Sequence, residues 1–291
     1  MTLPSSDSLF ELAWQEAVEH CPIRLIESVE AALRRIDPKA VPVEIGDRAE
    51  GALSRTKRFF DDRIGYYRHR RLIPPIEWSK TDPERLVQVY PHTRHLPAVI
   101  EYLRRLDSYD FEWLIASLLR LAGAEKSIAT PRIGDQGIDV IAKFNASLGE
   151  ARRAQLGFQL AAGPEVYVLV QCKRRTDRTV SVADLREFVG ATSILRIRGS
   201  EAQSLRGAAS AVAMGFKPFS AGCLAYATTS TFDNGATKLA EFLDLVTLDG
   251  EGIAQALLDF GVLPAGAGKI APGDFTEIGK LIIESKSLGP N

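Results

Sequence analysis

Apolar positions along the chain follow two different patterns, and the change between them falls near residue 98. In the N-terminal part, apolar residues three and four apart predict two amphipathic helices, the first from Ser8 to Cys21 and the second over 25–36. A proline follows each helix and ends it, because the residue before proline is disfavoured in helical geometry. Nine of the fifteen prolines precede residue 98, and their spacing over 72–97 predicts an irregular connector.

From residue 98 onward, short apolar runs alternate with helix-spaced segments, which predicts strands and helices in alternation. The predicted strands cover 126–130, 138–144, 166–171, 221–228 and 245–248, and the predicted helices cover 108–121, 182–191, 201–213, 234–242 and 253–260. This order predicts an α/β domain behind a mainly helical N-terminal region. We expect the N-terminal region to span 1–97, the α/β domain 98–265 and a C-terminal tail 266–291.

Composition limits the class of protein without identifying it. The 291 residues are 45% hydrophobic and 25% charged, as in a globular protein and unlike a disordered or fibrous chain. No apolar run approaches the ~20 residues of a membrane helix, and the start of the sequence lacks a secretory signal, so we expect a cytoplasmic protein with no membrane partner. The net charge of −1 argues neither for nor against nucleic-acid binding. The three cysteines are far apart in the sequence and indicate neither disulfides nor a zinc knuckle.

Local charge is uneven, and the strongest basic cluster lies at 55–71. Seven arginines and lysines there are accompanied by only two aspartates, and two phenylalanines and two tyrosines are interleaved with them. Two interpretations remain open. Basic side chains can neutralise phosphates while aromatic rings stack on bases, which would make Arg68, Arg70 and Arg71 DNA contacts. Alternatively, the segment is a solvated face of a helical hairpin with its aromatic residues in the core.

Polar residues occur where two predicted buried strands begin or end. Asp139 follows two glycines at the start of one strand, and glycine permits tight turns and the close approach of a ligand. Gln171 and Lys173 end the next predicted strand and, being two residues apart, point to the same face. If the strands are neighbours, Asp139 and Lys173 meet at one point, where they form either a strand-end salt bridge or a functional site.

These residues resemble the motif of a known family. Gly-Asp-x-Gly-Ile-Asp at 134–139, followed by Gln-Cys-Lys at 171–173, is similar to the catalytic motif of the Mrr-type restriction endonucleases, within the PD-(D/E)xK nuclease superfamily. A Phe-Glu pair ending at Glu112 and a later Ala-Thr-Thr-Ser extend the resemblance over about 105–262. The resemblance implies a restriction-endonuclease-like core, in which a mixed sheet is flanked by helices.

The resemblance also implies a role for each residue of the motif. Asp139 is the expected main carboxylate ligand of a divalent metal, Mg²⁺ or Mn²⁺, and Lys173 is expected to orient or deprotonate the attacking water. Gln171 stands in place of the superfamily's second acidic residue and would bind the ion through its amide oxygen without adding negative charge. The backbone carbonyl of Cys172 and the carboxylate of Glu112 would complete the ligand set. The alternative for Glu112 is an ordinary surface residue.

The implied substrate is double-stranded DNA. Arg174, Arg175 and Arg178 follow the motif and are expected to hold phosphates, or else to be ordinary exposed arginines. Because one such site cuts one strand, double-strand cleavage favours a homodimer. We therefore expect a metal-dependent DNA endonuclease acting in restriction or defence against foreign or modified DNA.

Other functions remain open from the sequence. One alternative is a catalytically silent DNA-binding module with a nuclease fold, and another is a Holliday-junction-resolvase-like nuclease. An unrelated α/β hydrolase is disfavoured, because the sequence contains no Gly-x-Ser-x-Gly motif.

Overall fold

The chain divides into two compact units, Met1–His95 and Leu96–Asn291. The computed structural model describes residues 6–69, 73–90, 92–130, 137–145, 165–176, 178–198, 208–217, 220–264 and 270–288. No helix within these ranges has both the length and the apolar character needed to cross a membrane.

The N-terminal unit combines helices with a small antiparallel sheet. Its elements are α1 (Ser6–His20), α2 (Leu25–Ile36), α3 (Pro42–His69), β1 (Ile23–Arg24), β2 (Ile76–Trp78) and β3 (Arg85–Gln88), followed by a 3₁₀ turn at Thr93–His95. β3 pairs with both other strands, so the sheet order is β1-β3-β2. The apolar faces of the helices form the core, in which Trp14, Val29 and Phe60 are buried together with Leu86 of the sheet. The predicted mainly helical N-terminal region is confirmed.

The prediction of an irregular connector over 72–97 is wrong for part of that segment. β2 and β3 lie within it and pair antiparallel, with Ile76 opposite Gln88. Pro75 precedes the first strand and Pro83 lies in the connection between the two, so neither proline interrupts a strand. Strands of three and four residues show too little alternation to be recognised from the sequence, which explains the error.

The C-terminal unit is an α/β domain built on a mixed sheet, whose described strands number five. Its helices are α4 (Leu96–Arg105), α5 (Ser108–Leu121), α6 (Val182–Arg198), α7 (Ala208–Ala213), α8 (Asn234–Phe242), α9 (Gly250–Asp259) and α10 (Thr276–Ser287), and its strands are β4 (Lys126–Ala129), β5 (Val140–Asn145), β6 (Glu165–Lys173), β7 (Ala221–Thr228) and β8 (Val246–Leu248). The order is β4-β5-β6-β7-β8, antiparallel from β4 to β6 and parallel from β6 to β8. The predicted mixed sheet flanked by helices is confirmed.

Alternation along β6 gives the sheet two different faces. On one face, Tyr167 and Leu169 lie in a core with Phe188 of α6 and Tyr226 of β7. On the other face, α5 packs against β4, β5 and β6. β6 therefore runs between two buried layers. Gln171 and Cys172, near its end, are still buried, and Lys173, its last residue, is partly exposed.

The start of α5 is fixed by an N-terminal cap. The Asp107 carboxylate accepts hydrogen bonds from two backbone N–H groups of the first turn, at 2.8 and 2.9 Å. Glu112 lies one turn further along this helix. The far half of α5 packs against α10, where the hydroxyls of Ser117 and Ser285 are hydrogen-bonded. The segment after residue 265, expected as a tail, thus contains a helix that packs on the domain.

Candidate active site

Asp139 lies immediately before β5, and hydrogen bonds to two neighbouring segments fix its backbone. Its N–H donates to the carbonyl of Val170 at 2.8 Å, and its carbonyl accepts from the N–H of Thr130 at 2.8 Å. Gly137, two residues earlier, has a φ of +84°, a conformation that favours glycine. The turn before this aspartate therefore depends on a glycine, as the sequence motif implies.

The Asp139 carboxylate is held against the end of β6. Its Oδ2 accepts a hydrogen bond from the backbone N–H of Cys172 at 2.6 Å. The backbone and the side chain of Asp139 therefore contact the residues on both sides of Gln171. β5 and β6 pair antiparallel, with Val140 opposite Val170, so the two strands that carry the motif are neighbours, as the sequence argument requires.

Gln171 carries a buried amide whose oxygen lacks a hydrogen-bond partner among the described residues. The residue is 3% exposed, and its Oε1 is fully buried without a partner in that part of the structure. Its Nε2 lies 3.6 Å from the position that a Cβ at Gly137 would take. An unpartnered buried acceptor costs about 1–3 kcal/mol, so a donor or cation that reached this oxygen would recover that cost.

Three charged side chains lie near the thiol of Cys172. Burial raises the pKa of this thiol well above its ordinary value, the charges of Asp139 and Glu112 raise it further, and the charge of Lys173 lowers it. The thiol itself is buried, as the alternation along β6 predicts. Two carboxylates and one ammonium, from α5, the start of β5 and the end of β6, are thus within electrostatic range of one atom.

Lys173 lines a polar cleft of about 500 Å³. The lining residues are Lys173, Arg174, Arg175, Thr176, Arg178, Asp184 and Glu187. Within the described ranges Lys173 makes no ion pair, and its backbone carbonyl accepts a hydrogen bond from the Thr228 hydroxyl at 2.8 Å. Its ammonium is therefore available to a phosphate or a water molecule in the cleft.

Arg175 is buried and bonded within the protein, in contrast to the exposed DNA contact expected from the sequence. Its guanidinium forms two hydrogen bonds with the Asp184 carboxylate and a third with the carbonyl of Thr179 at 2.8 Å. Its backbone N–H and carbonyl both bond to the Thr229 hydroxyl, at 2.9 and 2.8 Å. Although burial raises the pKa of Asp184, the hydrogen bonds from Arg175 and Ser181 outweigh it and lower the pKa to about 2. We therefore exclude Arg175 from the DNA contacts.

The other arginines predicted to contact DNA differ in their surroundings. Arg178 is exposed at the cleft. Arg174 is also exposed, and its guanidinium donates to a backbone carbonyl of α4 at 3.0 Å. Arg68, in the N-terminal unit, is exposed and pairs with a glutamate of β2 at 2.8 Å. Arg70 and Arg71 lie outside the described residues.

The aromatic residues of 55–71 belong to the core of the N-terminal unit. Phe60 and Tyr67 are buried, and Phe59 and Tyr66 pack against the same core. The segment up to residue 69 is part of one continuous helix, α3, and does not form a hairpin. Of the two interpretations of this cluster, the structure favours a helical face with its aromatic residues inside, because rings packed in a core are not available to stack on bases.

Sequence reasoning missed the residues that hold the end of β6 in place. Thr228 and Thr229 bond the backbone of Lys173 and Arg175, and Asp184 binds the Arg175 guanidinium. The signal that could have found the threonines is the Ala-Thr-Thr-Ser segment, whose position after an apolar strand parallels that of Gln-Cys-Lys. Nothing in the sequence marks the partner of Arg175.

The oxygen donors of this site fit a hard divalent cation. Asp139 and Glu112 supply carboxylates and Gln171 supplies the unpartnered amide oxygen, and such cations prefer oxygen ligands. No group of three or more His, Cys, Asp or Glu residues suited to a metal occurs in the described ranges, so the donor set here depends on the amide. The backbone carbonyl of Cys172 stays a predicted ligand.

Comparison with known proteins defines the class of the C-terminal unit. Residues 103–199 match the family model Mrr_cat, described as a restriction endonuclease. The chain thus carries a restriction-endonuclease-like nuclease domain. The match includes Asp139, Gln171 and Lys173 and confirms the Mrr-type resemblance for this segment, which is about a third of the chain.

Solved structures resemble the chain at low identity. The MspJI restriction endonuclease in complex with a 27-mer oligonucleotide is 17% identical with a TM-score of 0.41, over 68% of this chain and 38% of that one. The DNA modification-dependent restriction endonuclease AspBHI is 16% identical with a TM-score of 0.42, over 69% and 41%. This chain thus spans about two fifths of the length of these two enzymes. AF1548, a protein of unknown function, is 16% identical with a TM-score of 0.33, over 62% and 98%. No curated protein matches the chain.

Proposed function

We propose that the C-terminal unit is a Mg²⁺- or Mn²⁺-dependent endonuclease that hydrolyses phosphodiester bonds in double-stranded DNA. The observation that carries this proposal is the Gln171 oxygen, buried and unpartnered among the described residues. It belongs to the residue that lies between the two hydrogen bonds of Asp139 to β6, in a domain that matches a restriction endonuclease family. An oxygen that no protein donor satisfies is suited to a cation, because hard divalent cations prefer oxygen ligands.

Each site residue has a separate task in the proposed reaction. The divalent ion, when bound, stabilises the charge that develops on the phosphate. Asp139 and Glu112 hold the ion with negative charge, Gln171 adds a neutral oxygen, and the carbonyl of Cys172 is the remaining proposed ligand. Lys173, whose ammonium lies in the cleft, orients the attacking water and stabilises the charge developing on phosphorus.

The proposed substrate contacts lie beside this cleft. Arg174 and Arg178 are exposed there and hold DNA phosphates, which positions the duplex without reading its sequence. Arg68, Arg70 and Arg71 stay predicted contacts of the N-terminal unit. We propose that two copies of the chain cooperate in double-strand cleavage, since one site cuts one strand. We also propose that the protein acts in the cytoplasm, in restriction or defence against foreign or modified DNA, and the restriction endonuclease description of the matching family supports the restriction part of this role.

The test is a plasmid-nicking assay on the purified full chain with Mg²⁺, with Mn²⁺ and with EDTA, on modified and unmodified DNA. We expect nicking with either metal and none with EDTA. Lys173→Ala and Asp139→Ala should each abolish it, whereas Lys143→Ala, at the opposite end of the sheet, should not. Circular dichroism confirms that the variants fold. Undiminished nicking by both Lys173→Ala and Asp139→Ala would refute the site, and DNA binding without metal-dependent nicking on any substrate would favour a silent binding module.

A further inference from the structure

The segment after β7 stays bonded to the segment after β6, beyond the last paired residues of the sheet. The pairing of the two strands ends with Lys173 opposite Thr228. Further along, the N–H of Val180 donates to the carbonyl of Thr231 at 2.9 Å, and the carbonyl of Val180 accepts from the N–H of Asp233 at 3.0 Å. The chain that follows β6 is therefore held to the chain that follows β7 at a point well past the end of the ladder.

Side-chain hydroxyls of two threonines provide the bonds between these two points. The Thr228 hydroxyl donates to the Lys173 carbonyl at 2.8 Å and accepts from the N–H of Ser230 at 3.2 Å. The Thr229 hydroxyl accepts from the N–H of Arg175 at 2.9 Å and donates to the carbonyl of the same residue at 2.8 Å. The two threonines are 0% and 1% exposed, so water cannot replace a bond that is lost.

The threonines are themselves fixed by the turn between β8 and α9. The N–H of Gly250 in this turn donates to the carbonyl of Ser230 at 3.1 Å. A Cβ at Gly250 would lie 2.7 Å from the carbonyl oxygen of Thr229, so this close approach requires a glycine. The two hydroxyls are therefore anchored to a packed part of the domain.

The backbone of β6 is restrained on both sides of the Lys173 Cα. Before it, the N–H of Cys172 donates to the Asp139 carboxylate at 2.6 Å, and after it, the Lys173 carbonyl accepts from the Thr228 hydroxyl. The Lys173 side chain lines the cleft and makes no ion pair or hydrogen bond with any residue that the structure describes. Because no contact of the ammonium restrains this side chain, its direction depends on the backbone that carries it.

We propose that Thr228 is the positioning residue of Lys173, its hydroxyl fixing the lysine carbonyl so that the ammonium is held in the cleft beside the attacking water. This inference rests on the proposed function and names the residue that gives the lysine its geometry. Thr228 is fully buried and contributes no group to the reaction. Its effect is kinetic, because a displacement of about 1 Å in a reacting group can lower the rate about 100-fold.

The central variant is Thr228→Val, which removes the hydroxyl and keeps the branched shape. We expect the single-turnover nicking rate at saturating DNA and Mg²⁺ to fall about tenfold, as for a displacement of less than 1 Å. KM for DNA should change less than about twofold, and so should the dissociation constant for Mn²⁺, measured by isothermal titration calorimetry without DNA. Neither the phosphate contacts nor the proposed oxygen ligands are altered by this variant.

The matched variant at the same position is Thr228→Ser, which keeps the hydroxyl and loses the methyl group. Both variants should lower the melting temperature, the valine because it leaves the buried Lys173 carbonyl without its hydroxyl donor and the serine because it leaves a small cavity. Thr228→Ser should nevertheless nick DNA within about twofold of the wild-type rate. A loss of rate in the valine variant alone therefore cannot result from reduced stability.

Thr192→Val is the control away from the end of β6. Thr192 lies on α6, is 1% exposed, and its hydroxyl donates to the carbonyls of Phe188 and Val189 at 3.1 and 3.0 Å. Removing this buried hydroxyl should lower the melting temperature and leave the nicking rate unchanged. The control thus measures what the loss of a structural threonine hydroxyl does to the domain.

Thr229→Val is a second variant of the same device. It removes both bonds to the Arg175 backbone, two residues after Lys173, and should lower the nicking rate about threefold with the same unchanged affinities. This variant supplies the test if Thr228→Val does not fold.

The outcomes separate the positioning role from the proposed function. A wild-type rate in the valine variants that fold, an equal loss of rate in Thr228→Ser, or a loss of Mn²⁺ affinity as large as the loss of rate would overturn the positioning role while leaving the nuclease proposal intact. A wild-type chain that neither binds Mn²⁺ nor nicks DNA would overturn the proposed function, and the positioning role with it.

Discussion

The end of β6 and the basic segment of α3 both concentrate polar and basic residues, but they differ in whether those residues have partners. On α3, Arg63 bonds to the Glu11 carboxylate at 2.6 Å and Arg68 pairs with Glu77 of β2. At the end of β6, Lys173 makes no ion pair within the described ranges, and the buried Gln171 oxygen is unpartnered there. Two arginines of the first region are thus paired with carboxylates of the N-terminal unit, whereas the Lys173 ammonium has no carboxylate partner within the described ranges.

This difference shows why a count of basic residues is a weak guide to a site. The α3 cluster has the stronger signal in the sequence, yet its aromatic residues are in the core. The motif at β6 is short, but its geometry is unusual, because a buried polar group without a partner is rare in folded proteins. The hydrogen-bond and ion-pair partners of the polar side chains, and not the composition of the segment, distinguish the solvated face of a helix from a functional site.

The largest expected effect is a loss of nicking activity. It should appear when Lys173 is replaced by arginine, and not when Arg68 is replaced by lysine. Lys173→Arg should lower the single-turnover nicking rate at saturating DNA by about 100-fold or more, because the guanidinium is larger and its planar, delocalised charge does not replace a compact ammonium beside the attacking water. Arg68→Lys should change the rate less than about twofold. Nicking by Lys173→Arg within threefold of the wild type would contradict a specific role for the lysine amine.

The next effect is on stability, where the two regions also differ. Arg175→Ala leaves the Asp184 carboxylate without its cation at a largely buried position, and the free energy of unfolding in urea should fall by about 3 kcal/mol. Arg63→Ala removes a more exposed pair with Glu11 and should cost about 1 kcal/mol. Equal losses in the two variants would show that burial does not separate these pairs.

A smaller effect is expected from acid. The pKa of Asp184 is about 2 in the folded protein, below its value of 3.8 in the unfolded chain. Because the pKa of Asp184 is lower in the folded state, its carboxylate stabilises the fold at pH values above the unfolded-state pKa, here by about 2 kcal/mol. This contribution is lost as the pH falls from about 4 to about 2. Urea unfolding of the wild type and of Asp184→Asn at a series of pH values measures this. The stability difference between them should shrink over that interval, and a constant difference would contradict the assignment.

The smallest effect concerns the salt dependence of DNA binding. Each phosphate contact contributes about 0.9 to the slope of log K against log salt concentration. In EDTA, which should prevent the proposed metal-dependent cleavage, Arg178→Ala should reduce that slope by about this amount. Arg68→Ala should reduce it by less, because Arg68 already pairs with Glu77. A reduction with Arg68→Ala that equals or exceeds the reduction with Arg178→Ala would place the main DNA surface on the N-terminal unit.

Much of the fold is predictable from the sequence where local signals are complete. Helices 25–36 and 234–242 and strand 221–228 have the predicted bounds, because each combines a clear period with a stop or a cap. The helix at 234–242 begins after Asp233, whose carboxylate caps it. The short strands of the N-terminal unit have no such signals and were missed.

The candidate site was predictable only in part. Alternation along β6 places Gln171 and Lys173 on one face, and glycine marks the turn before Asp139. The partners were not predictable, because contacts such as Arg175 with Asp184 depend on how a helix packs over a strand end. The position of Tyr226 opposite Gln171 in the sheet was not predictable either. The two strands are separated by a long crossover, and the sequence of each strand alone does not determine their register.

The hydrogen bond from the Cys172 amide to the Asp139 carboxylate turns one backbone proton into a spectroscopic probe. Such a proton exchanges with deuterated solvent only when its bond opens. The hydrogen-exchange rate of the Cys172 amide therefore measures how often its hydrogen bond to the Asp139 carboxylate opens, without a chemical label and without substrate turnover.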